Sequence, residues 1–172
     1  MATRTELSAA EKDFVLHLRV ARLATSDEHG SPTLVPVCYA FDGSSFYTPL
    51  DQKPKRVPGI QLRRVHNIEA RHEASLLIDH YSDDWTQLGY VQIYGHAELL
   101  YPDHPLHAPA LRLLRERYSQ YREMNLEASP IIHLIPNASA PGAHYNSHSR
   151  NGNLHGCDLS YQQSLPLQPV HV

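Results

Sequence analysis

A basic segment is the strongest candidate for chemistry in this sequence. Residues 53–71 carry six Lys or Arg side chains and one acid, Glu69, although the formal net charge of the chain is -3. The basic residues whose spacing suggests convergence are Lys53, Lys55, Arg56 and Arg64. Three of them follow a predicted strand and the fourth lies on a predicted helix, a layout that can hold a phosphate through charge-assisted hydrogen bonds. Charge alone favours a simpler interpretation, a solvated loop and helix face.

Two other features are candidates for contact with a ligand. Pro36 interrupts a stretch, Val35 to Val37, that otherwise alternates like an interior strand. A proline there predicts a bulge or an unpaired edge, with backbone free to face a planar ring, although a barrel corner also explains it. Trp85, with Tyr81 and Tyr90, is a candidate wall of a ring-binding cleft, but aromatic residues near strands more often belong to the core.

Motifs of covalent, hydrolytic and metal-dependent catalysis are not found. The sequence has no nucleophile elbow, no glycine-rich phosphate loop and no carboxylate pair at a diagnostic spacing. It has 13 histidines but no HExxH pair. His66 and His72 are too far apart for adjacent turns of one helix face, and His144, His148 and His155 lie in a polar tail. We therefore predict no metal site and assign no catalytic residue.

Length, charge and cysteine content limit the class of protein. The 172 residues fit one domain. A net charge of -3 and a pI near 6.5 argue against nucleic acid or an anionic membrane as a partner. Cys38 and Cys157 are far apart, which favours a reducing compartment, and no apolar run is long enough to cross a bilayer. We predict a soluble cytoplasmic protein.

The N-terminal part predicts a helix followed by strands. Ser8 and Glu11 form a capping-box pattern, which predicts a helix from about Ser8 to Leu18. The alternation that follows predicts a hairpin that turns at residues 27–30. Its buried face is predicted to consist of Val35, Val37, Tyr39 and Phe41. Asp42-Gly43 is a second hairpin signal, and residues 45–48 predict a third strand.

The middle of the chain predicts a loop and a second helix. Three prolines between Pro49 and Pro58 argue against both helix and central strand. From residue 59 to 70 an apolar residue recurs at every third position, which predicts one buried face of a short helix. The opposite side of that helix is predicted to carry Arg63, Arg64 and Asn67, with Arg63 nearer the solvent.

The remaining segments complete the prediction of the fold class. Residues 74–81, 87–100 and 131–135 predict strands, and a helix is predicted to begin at Pro109. The resulting order is α+β with a largely antiparallel sheet, which tends to close on itself to remove its edges. Residues 137–172 are rich in Asn, Ser, Pro, Gly and His. Their composition predicts a disordered tail after a domain of residues 1–136.

The order of these segments resembles a known family. The segments are RVARLATSDEHGSPTLVPVCYAF, FYTPLDQKPKRV, RRVHNIEARHEASLLIDHYSDDW and YVQIYGHAEL. Together, over about residues 14–135, they are similar to the pyridoxamine 5'-phosphate oxidase-like split barrels, and specifically to a subgroup regarded as dependent on coenzyme F420. The resemblance implies a split β-barrel of about six antiparallel strands with short flanking helices. One departure is the end of the chain, where the family's further aromatic-containing strand segment is replaced by low-complexity sequence.

The resemblance also implies a binding site. Carried over by position, Val35, Pro36 and Val37 would lie along the cofactor ring, with Tyr47 and Thr48 near the ribityl chain and phosphate. The acidic end would be held by Lys53, Lys55, Arg56 and Arg64, which favours the functional interpretation of the basic segment. The resemblance implies a homodimer with two clefts at the interface, to which Trp85 of either chain would contribute.

The implied activity is hydride transfer between a deazaflavin and a small electron-poor organic substrate. The cofactor supplies this chemistry, and the protein supplies orientation and exclusion of water. Six basic residues favour coenzyme F420, whose tail is a longer anion, over FMN, which is the alternative. A non-catalytic carrier of flavin, deazaflavin, haem or another tetrapyrrole is a second class of hypothesis. The phenols considered as proton donors are Tyr81 and Tyr90.

Overall fold

One curled antiparallel sheet organises the chain. The computed structural model describes residues 6–51 and 62–137 and the backbone of residues 144–145. The strands are β1 (Val20–Ser26), β2 (Pro32–Cys38), β3 (Ala40–Phe41), β4 (Phe46–Pro49), β5 (Glu73–His80), β6 (Gly89–Leu100), β7 (Ile131–Pro136) and β8 (His144–Tyr145). Their order is β2-β1-β5-β6-β7-β4-β3, and β8 pairs with β6. The sheet curls until β2 contacts β4, which confirms the predicted α+β split barrel.

Four short helices flank the sheet in the described part of the chain. They are α1 (Ala9–His17), α2 (Arg63–Arg71), α3 (His107–Arg117) and α4 (Gln120–Glu123), and residues 85–87 form a single 3-10 turn. The predicted capping box of α1 is confirmed, because the Ser8 N–H donates to Glu11 Oε2 at 2.7 Å and the Glu11 N–H donates to Ser8 Oγ at 3.3 Å. Helix α3 begins at His107, two residues before the predicted start at Pro109. Pro109 therefore lies in the first turn, where the missing N–H of proline costs no helical hydrogen bond.

Both predicted turns are confirmed. Asp27 Oδ1 accepts the N–H groups of His29 and Ser31 at 3.0 and 2.8 Å, and the turn closes at Gly30 with φ +84°. In the next hairpin, Asp42 Oδ1 accepts the N–H groups of Ser44 and Ser45, and Gly43 has φ +104°. A positive φ at these positions explains why both turns use glycine.

The chain forms more strands than the six expected, because one predicted strand is broken at Tyr39 and because β8 lies within the segment predicted as a tail. The Tyr39 N–H donates to Tyr118 Oη at 3.1 Å, and the Tyr118 hydroxyl donates back to the Tyr39 carbonyl at 2.8 Å. Since both backbone groups are used in this way, the ladder ends at Cys38 and resumes as β3. The predicted buried face is confirmed, because Val37, Tyr39 and Phe41 lie in the core and Val35 packs against it.

The alternatives left open at Pro36 are resolved in favour of an edge. Strand β2 is the terminal strand in the sheet order, and its register with β1 runs unbroken through Arg22↔Pro36. The predicted bulge is therefore wrong. An edge strand tolerates proline because one of its two sides has no ladder to break.

Two local predictions around α2 need correction. Pro49 ends β4, paired with Ile131, and does not begin the loop. Asn67 is buried, 4% exposed, and does not lie on a solvated helix side, because its Nδ2 donates to Thr25 Oγ1 at 3.0 Å and so ties α2 to the first hairpin. Arg63 is exposed and Arg64 is half-buried. The predicted helix residues 59–61 lie outside the described residues.

Apolar packing occupies both faces of the sheet. The inner cluster fills the barrel and includes Leu23, Phe46, Ile78 and Ile93. The outer cluster lies between α3, α4 and one half of the sheet, and includes Leu100, Leu114, Tyr121 and Ile131. Within the described residues no helix is long and apolar enough to cross a membrane.

Candidate functional site

Arg64 is the described residue best placed to bind an anion. It lies in the first turn of α2 and is half-buried. Its Nε is buried and has no hydrogen-bond partner in the described part of the chain, where none of the ion pairs includes Arg64. Burial lowers its pKa, and the negative charge of Asp51 opposes that shift. A half-buried guanidinium with a buried, unused Nε donor is a binding group for a phosphate or carboxylate.

Asp51 supplies the negative charge that acts on Arg64. It follows β4 by two residues and is only 8% exposed. The Tyr121 hydroxyl donates to Asp51 Oδ2 at 3.2 Å, and Tyr121 is itself fully buried, so burial raises the pKa of its phenol and keeps it a donor. The site therefore lies where β4 ends and the basic segment begins. Lys53, Lys55 and Arg56 are outside the described residues.

Of the three residues predicted to line the ring, strand β2 turns Pro36 outward and the side chains of Val35 and Val37 inward. Val35 and Val37 point into the barrel, and Val37 is 7% exposed. Leu34 and Pro36 alternate with them and are exposed, Leu34 at 67%. At the sheet edge, one side of the β2 backbone pairs with no other strand of the described chain, and these two side chains face outward.

Strand β4 places Tyr47 and Thr48 next to β2, but buries their side chains. They are 5% and 4% exposed. The Tyr47 ring stacks on His133, with centroids 4.9 Å apart and planes at 4°, and its hydroxyl donates to Asp42 Oδ2 at 2.7 Å. Burial, followed by the hydrogen bond to Asp42, raises the pKa of this phenol. The two strands predicted to hold ring and phosphate thus meet.

His133 is a polar residue that the sequence analysis did not single out. Its Nδ1 is 2.9 Å from Glu98 Oε1, and its Nε2 is buried without a partner among the described residues. The signal was present, because His133 is the one polar residue in the strand IIHLIP. Its contacts, with Tyr47 and Glu98, support β4 and β7.

The three candidate aromatic residues lie on the surface. Tyr81 and Trp85 are each 71% exposed and Tyr90 is 37% exposed. Asp84 caps the turn that carries Trp85 by accepting the Thr86 N–H at 3.0 Å. The structure does not bring these aromatic side chains to Arg64 or to the cleft described next.

An open cleft of about 420 Å³ lies on the outward face of the sheet, and the sequence analysis missed it. Its lining includes Ala24, Ser26, Pro32, Glu73, Ser75 and Tyr94. Pairing places Leu34, Ala24, Ser75 and Tyr94 in one row across four strands. In this row the small side chains of Ala24 and Ser75 lie between the larger ones of Leu34 and Tyr94. Register, which only the folded sheet reveals, creates this cleft.

Solved structures share the fold at low identity. A conserved hypothetical protein from Mycobacterium tuberculosis is 21% identical, with a TM-score of 0.62 over 91% of this chain and 98% of that one. An F420 reductase is 19% identical, with a TM-score of 0.56 over 77% and 97% of the two chains. The haem storage protein HutZ from Vibrio cholerae is 14% identical, with a TM-score of 0.59 over 77% and 91%.

The family comparison is more specific. No curated protein matches this chain. The family model described as pyridoxamine 5'-phosphate oxidase matches residues 7–138, well over half of the chain, and this range holds the whole sheet from β1 to β7. The chain therefore belongs to the pyridoxamine 5'-phosphate oxidase family.

Proposed function

We propose that this chain is a cytoplasmic oxidoreductase that binds coenzyme F420 and transfers a hydride between it and a small electron-poor organic substrate. FMN is the alternative cofactor in the same site. Family membership supports a flavin-like ligand, and the F420 reductase shows that this fold occurs in a protein of that name. The cofactor supplies the hydride chemistry when bound.

The unpaired Nε of Arg64 is the observation that carries the proposal. A buried donor without a partner costs free energy, so such groups are rare unless a ligand uses them. Asp51 lowers the cost of burying the guanidinium charge without occupying that donor. A phosphate oxygen beside α2 provides the missing acceptor, and Lys53, Lys55 and Arg56 extend the positive charge along a longer acidic tail.

The remaining predicted residues take positions consistent with this role. In the proposal the ring lies along the edge of β2, against the backbone of Val35, Pro36 and Val37. Tyr47 and Thr48 contribute through the backbone of β4, since their side chains are buried. The protein orients the cofactor and excludes water, and Tyr81 and Tyr90 stay candidates for proton donation.

A homodimer completes the proposed site. The outward face of β2 and β1 exposes Leu34 at 67% and Val20 at 44%, and no helix of the described chain covers it. A second copy on this face shields the ring from water and brings the exposed Trp85 of one chain towards the cleft of the other. Sedimentation velocity measures the stoichiometry directly.

Removing Arg64 tests the phosphate site. Arg64→Ala is expected to weaken binding of F420 and FMN by roughly ten- to a hundredfold, the loss of one charge-assisted hydrogen bond. Arg63→Ala, next to it but exposed, is the matched control and is expected to bind normally. Calorimetric titration at low and high salt gives the affinities. Equal, small losses in both variants would show that the phosphate is held elsewhere.

The native ligand decides between the cofactors. Mass spectrometry of the purified protein is expected to find F420, with a polyglutamate tail, in a host that makes it. Recovery of FMN would establish the alternative within the same site. A haem spectrum, with no flavin or deazaflavin mass, would instead identify a carrier and contradict the oxidoreductase proposal.

A further inference from the structure

The side-chain amide of Asn67 joins helix α2 to both strands of the first hairpin. Asn67 is 4% exposed, and its Nδ2 donates to Thr25 Oγ1 of β1 at 3.0 Å and lies 3.5 Å from Thr33 Oγ1 of β2. Thr25 and Thr33 are paired across the two strands, and Thr25 is itself buried. An amide nitrogen carries two N–H donors, so one atom serves both hydroxyls. A single buried group therefore connects the helix, β1 and β2.

The start of α2 depends on tertiary contacts for its position. Its N-cap is Leu62, whose side chain has no oxygen to accept a helical N–H. Val65 and Ile68 are completely buried and press the helix onto the barrel. Apolar packing is not directional, whereas a hydrogen bond fixes both a distance and an angle. Asn67 lies three residues after Arg64, on the same side of the helix, so its amide sets the place of the turn that carries Arg64.

The same amide spans two parts of the proposed cofactor site. Thr33 precedes Val35, the first residue of the proposed ring strand, by two positions of β2. Arg64 is the proposed phosphate ligand at the other end. Ring and phosphate belong to one molecule, so both contacts form together only if the separation of β2 and Arg64 matches the ligand. In such a site a misplacement of about 1 Å costs on the order of a hundredfold.

We propose that Asn67 is a positioning residue, which holds Arg64 at the distance from β2 that allows one cofactor molecule to reach both. The inference rests on the proposed function. Asn67 acts through Arg64 and not by touching the cofactor, because its amide is buried and bonded to the hairpin. Its removal is therefore expected to weaken the phosphate contact and to spare the ring contact.

Ligand pairs that differ only beyond the ribityl chain test this role. FMN is compared with riboflavin, and F420 with its phosphate-free deazaflavin alcohol, by calorimetric titration of the full chain. Asn67→Leu removes the amide at similar volume. It is expected to lower affinity for the phosphorylated member about tenfold and for its partner less than about twofold. The ratio of the two affinities therefore falls.

Thr25 provides a milder pair of variants. Thr25→Val removes the acceptor of the Asn67 amide and keeps the side-chain shape, so the affinity ratio is expected to fall as it does in Asn67→Leu. Thr25→Ser keeps the hydroxyl and is expected to retain the wild-type ratio. If Asn67→Leu does not fold, these two variants decide the question, and an unchanged ratio in Thr25→Val would overturn the positioning role.

A matched control separates positioning from stability. Ile68→Val removes one methyl group from the buried face of the same helix. It is expected to lower the melting temperature and to leave the affinity ratio unchanged. A ratio that falls equally in Ile68→Val and Asn67→Leu, or an equal loss for both members of a ligand pair in Asn67→Leu, would show that Asn67 only supports the fold.

A double-mutant cycle shows whether Asn67 acts through Arg64. The variant that combines Arg64→Ala with Asn67→Leu is expected to bind the phosphorylated ligand no more weakly than Arg64→Ala alone, since the contact is already lost. Additive losses would overturn the positioning role while the phosphate site stands. Wild-type protein that binds neither F420 nor FMN would overturn the proposed function as well.

Discussion

The two halves of the outward sheet surface differ in whether a helix of the described chain covers them. The covered half, formed by β3, β4 and β7, packs against α3, and Leu114 of α3 is completely buried there. The open half, formed by β2, β1 and β5, has no helix over it in the described chain, and Leu34 is 67% exposed. Within the described residues, one half of the sheet's outward surface is thus covered by helix and the other half is exposed.

Polar groups follow the same division. In the covered half Tyr47 and His133 stack, and each bonds a carboxylate, Asp42 at 2.7 Å and Glu98 at 2.9 Å. In the open half the outward pair Arg22–Asp79 is 3.4 Å apart and partly exposed, beside the cleft and the β2 edge. The polar groups of the covered half are therefore held by internal contacts, whereas those of the open half are partly exposed.

The largest expected effect removes packing from the covered half. Leu114→Ala leaves a cavity between α3 and the sheet and is expected to lower the free energy of unfolding by about 2–5 kcal/mol. Urea denaturation followed by circular dichroism measures it. Leu106→Ala, just before α3 and 40% exposed, is the control and is expected to cost well under half as much. A small loss at Leu114 would mean that the two halves do not differ in packing.

A smaller effect is expected at Gly95 of β6, which pairs with both β5 and β7 where the two halves join. A Cβ at Gly95 would lie 2.1 Å from the Ile135 carbonyl oxygen, so Gly95→Ala forces β6 and β7 apart. We expect a loss of about 1–3 kcal/mol. Gly30→Ala has open space and only its φ of +84° to strain it, so about 1 kcal/mol is expected. Thermal unfolding of both variants makes the comparison, and equal losses would contradict the steric explanation.

The pH dependence of the stabilisation by Asp42 tests the hydrogen bonds of the covered half. Burial acts to raise its pKa, but the N–H groups of Ser45 and Ser44 and the Tyr47 hydroxyl outweigh it, so the folded pKa is lowered. The resulting stabilisation is complete above the ordinary Asp pKa of 3.8 and is lost as pH falls through the folded value.

Asp42→Asn is therefore expected to cost about 1 kcal/mol or less at neutral pH, since the site is partly solvated, and progressively less in acid. Urea denaturation at several pH values measures the difference. A cost that does not shrink at low pH would assign the effect to geometry and not to charge.

The smallest expected effect on folding lies in the open half. Leu34→Glu is expected to change the free energy of unfolding of the single chain by under about 0.5 kcal/mol, because the side chain is already exposed. It is nevertheless expected to separate the proposed dimer in sedimentation velocity, since it places charge on the shared face. Ala108→Glu, on the exposed side of α3, is expected to leave the dimer intact. A wild-type monomer would remove the dimer from the proposal.

Features set by neighbouring residues were predictable. The capping box of α1 spans three residues, and each Asp-initiated turn is closed by its own carboxylate and a glycine of positive φ. Strand alternation placed Val37, Tyr39 and Phe41 in the core, since side chains two apart share a face. Such patterns, in order, also predicted the α+β class with a largely antiparallel sheet, and the resemblance to a known family implied the split barrel.

Features that join distant residues were decided only by the tertiary structure. Tyr118 breaks the strand at Tyr39 from 79 positions away, and Thr25 buries Asn67 across 42. The basic segment was evident from its charge, but whether Arg64 or Arg63 is half-buried depends on how α2 packs. The cleft depends on the register of four strands, which no local pattern records. The sequence by itself determined the elements and their class, because short-range hydrogen bonds and periodicity act within a few residues. Which polar groups stay unpaired, and where the surface stays open, follows from contacts that exist only once the sheet has curled.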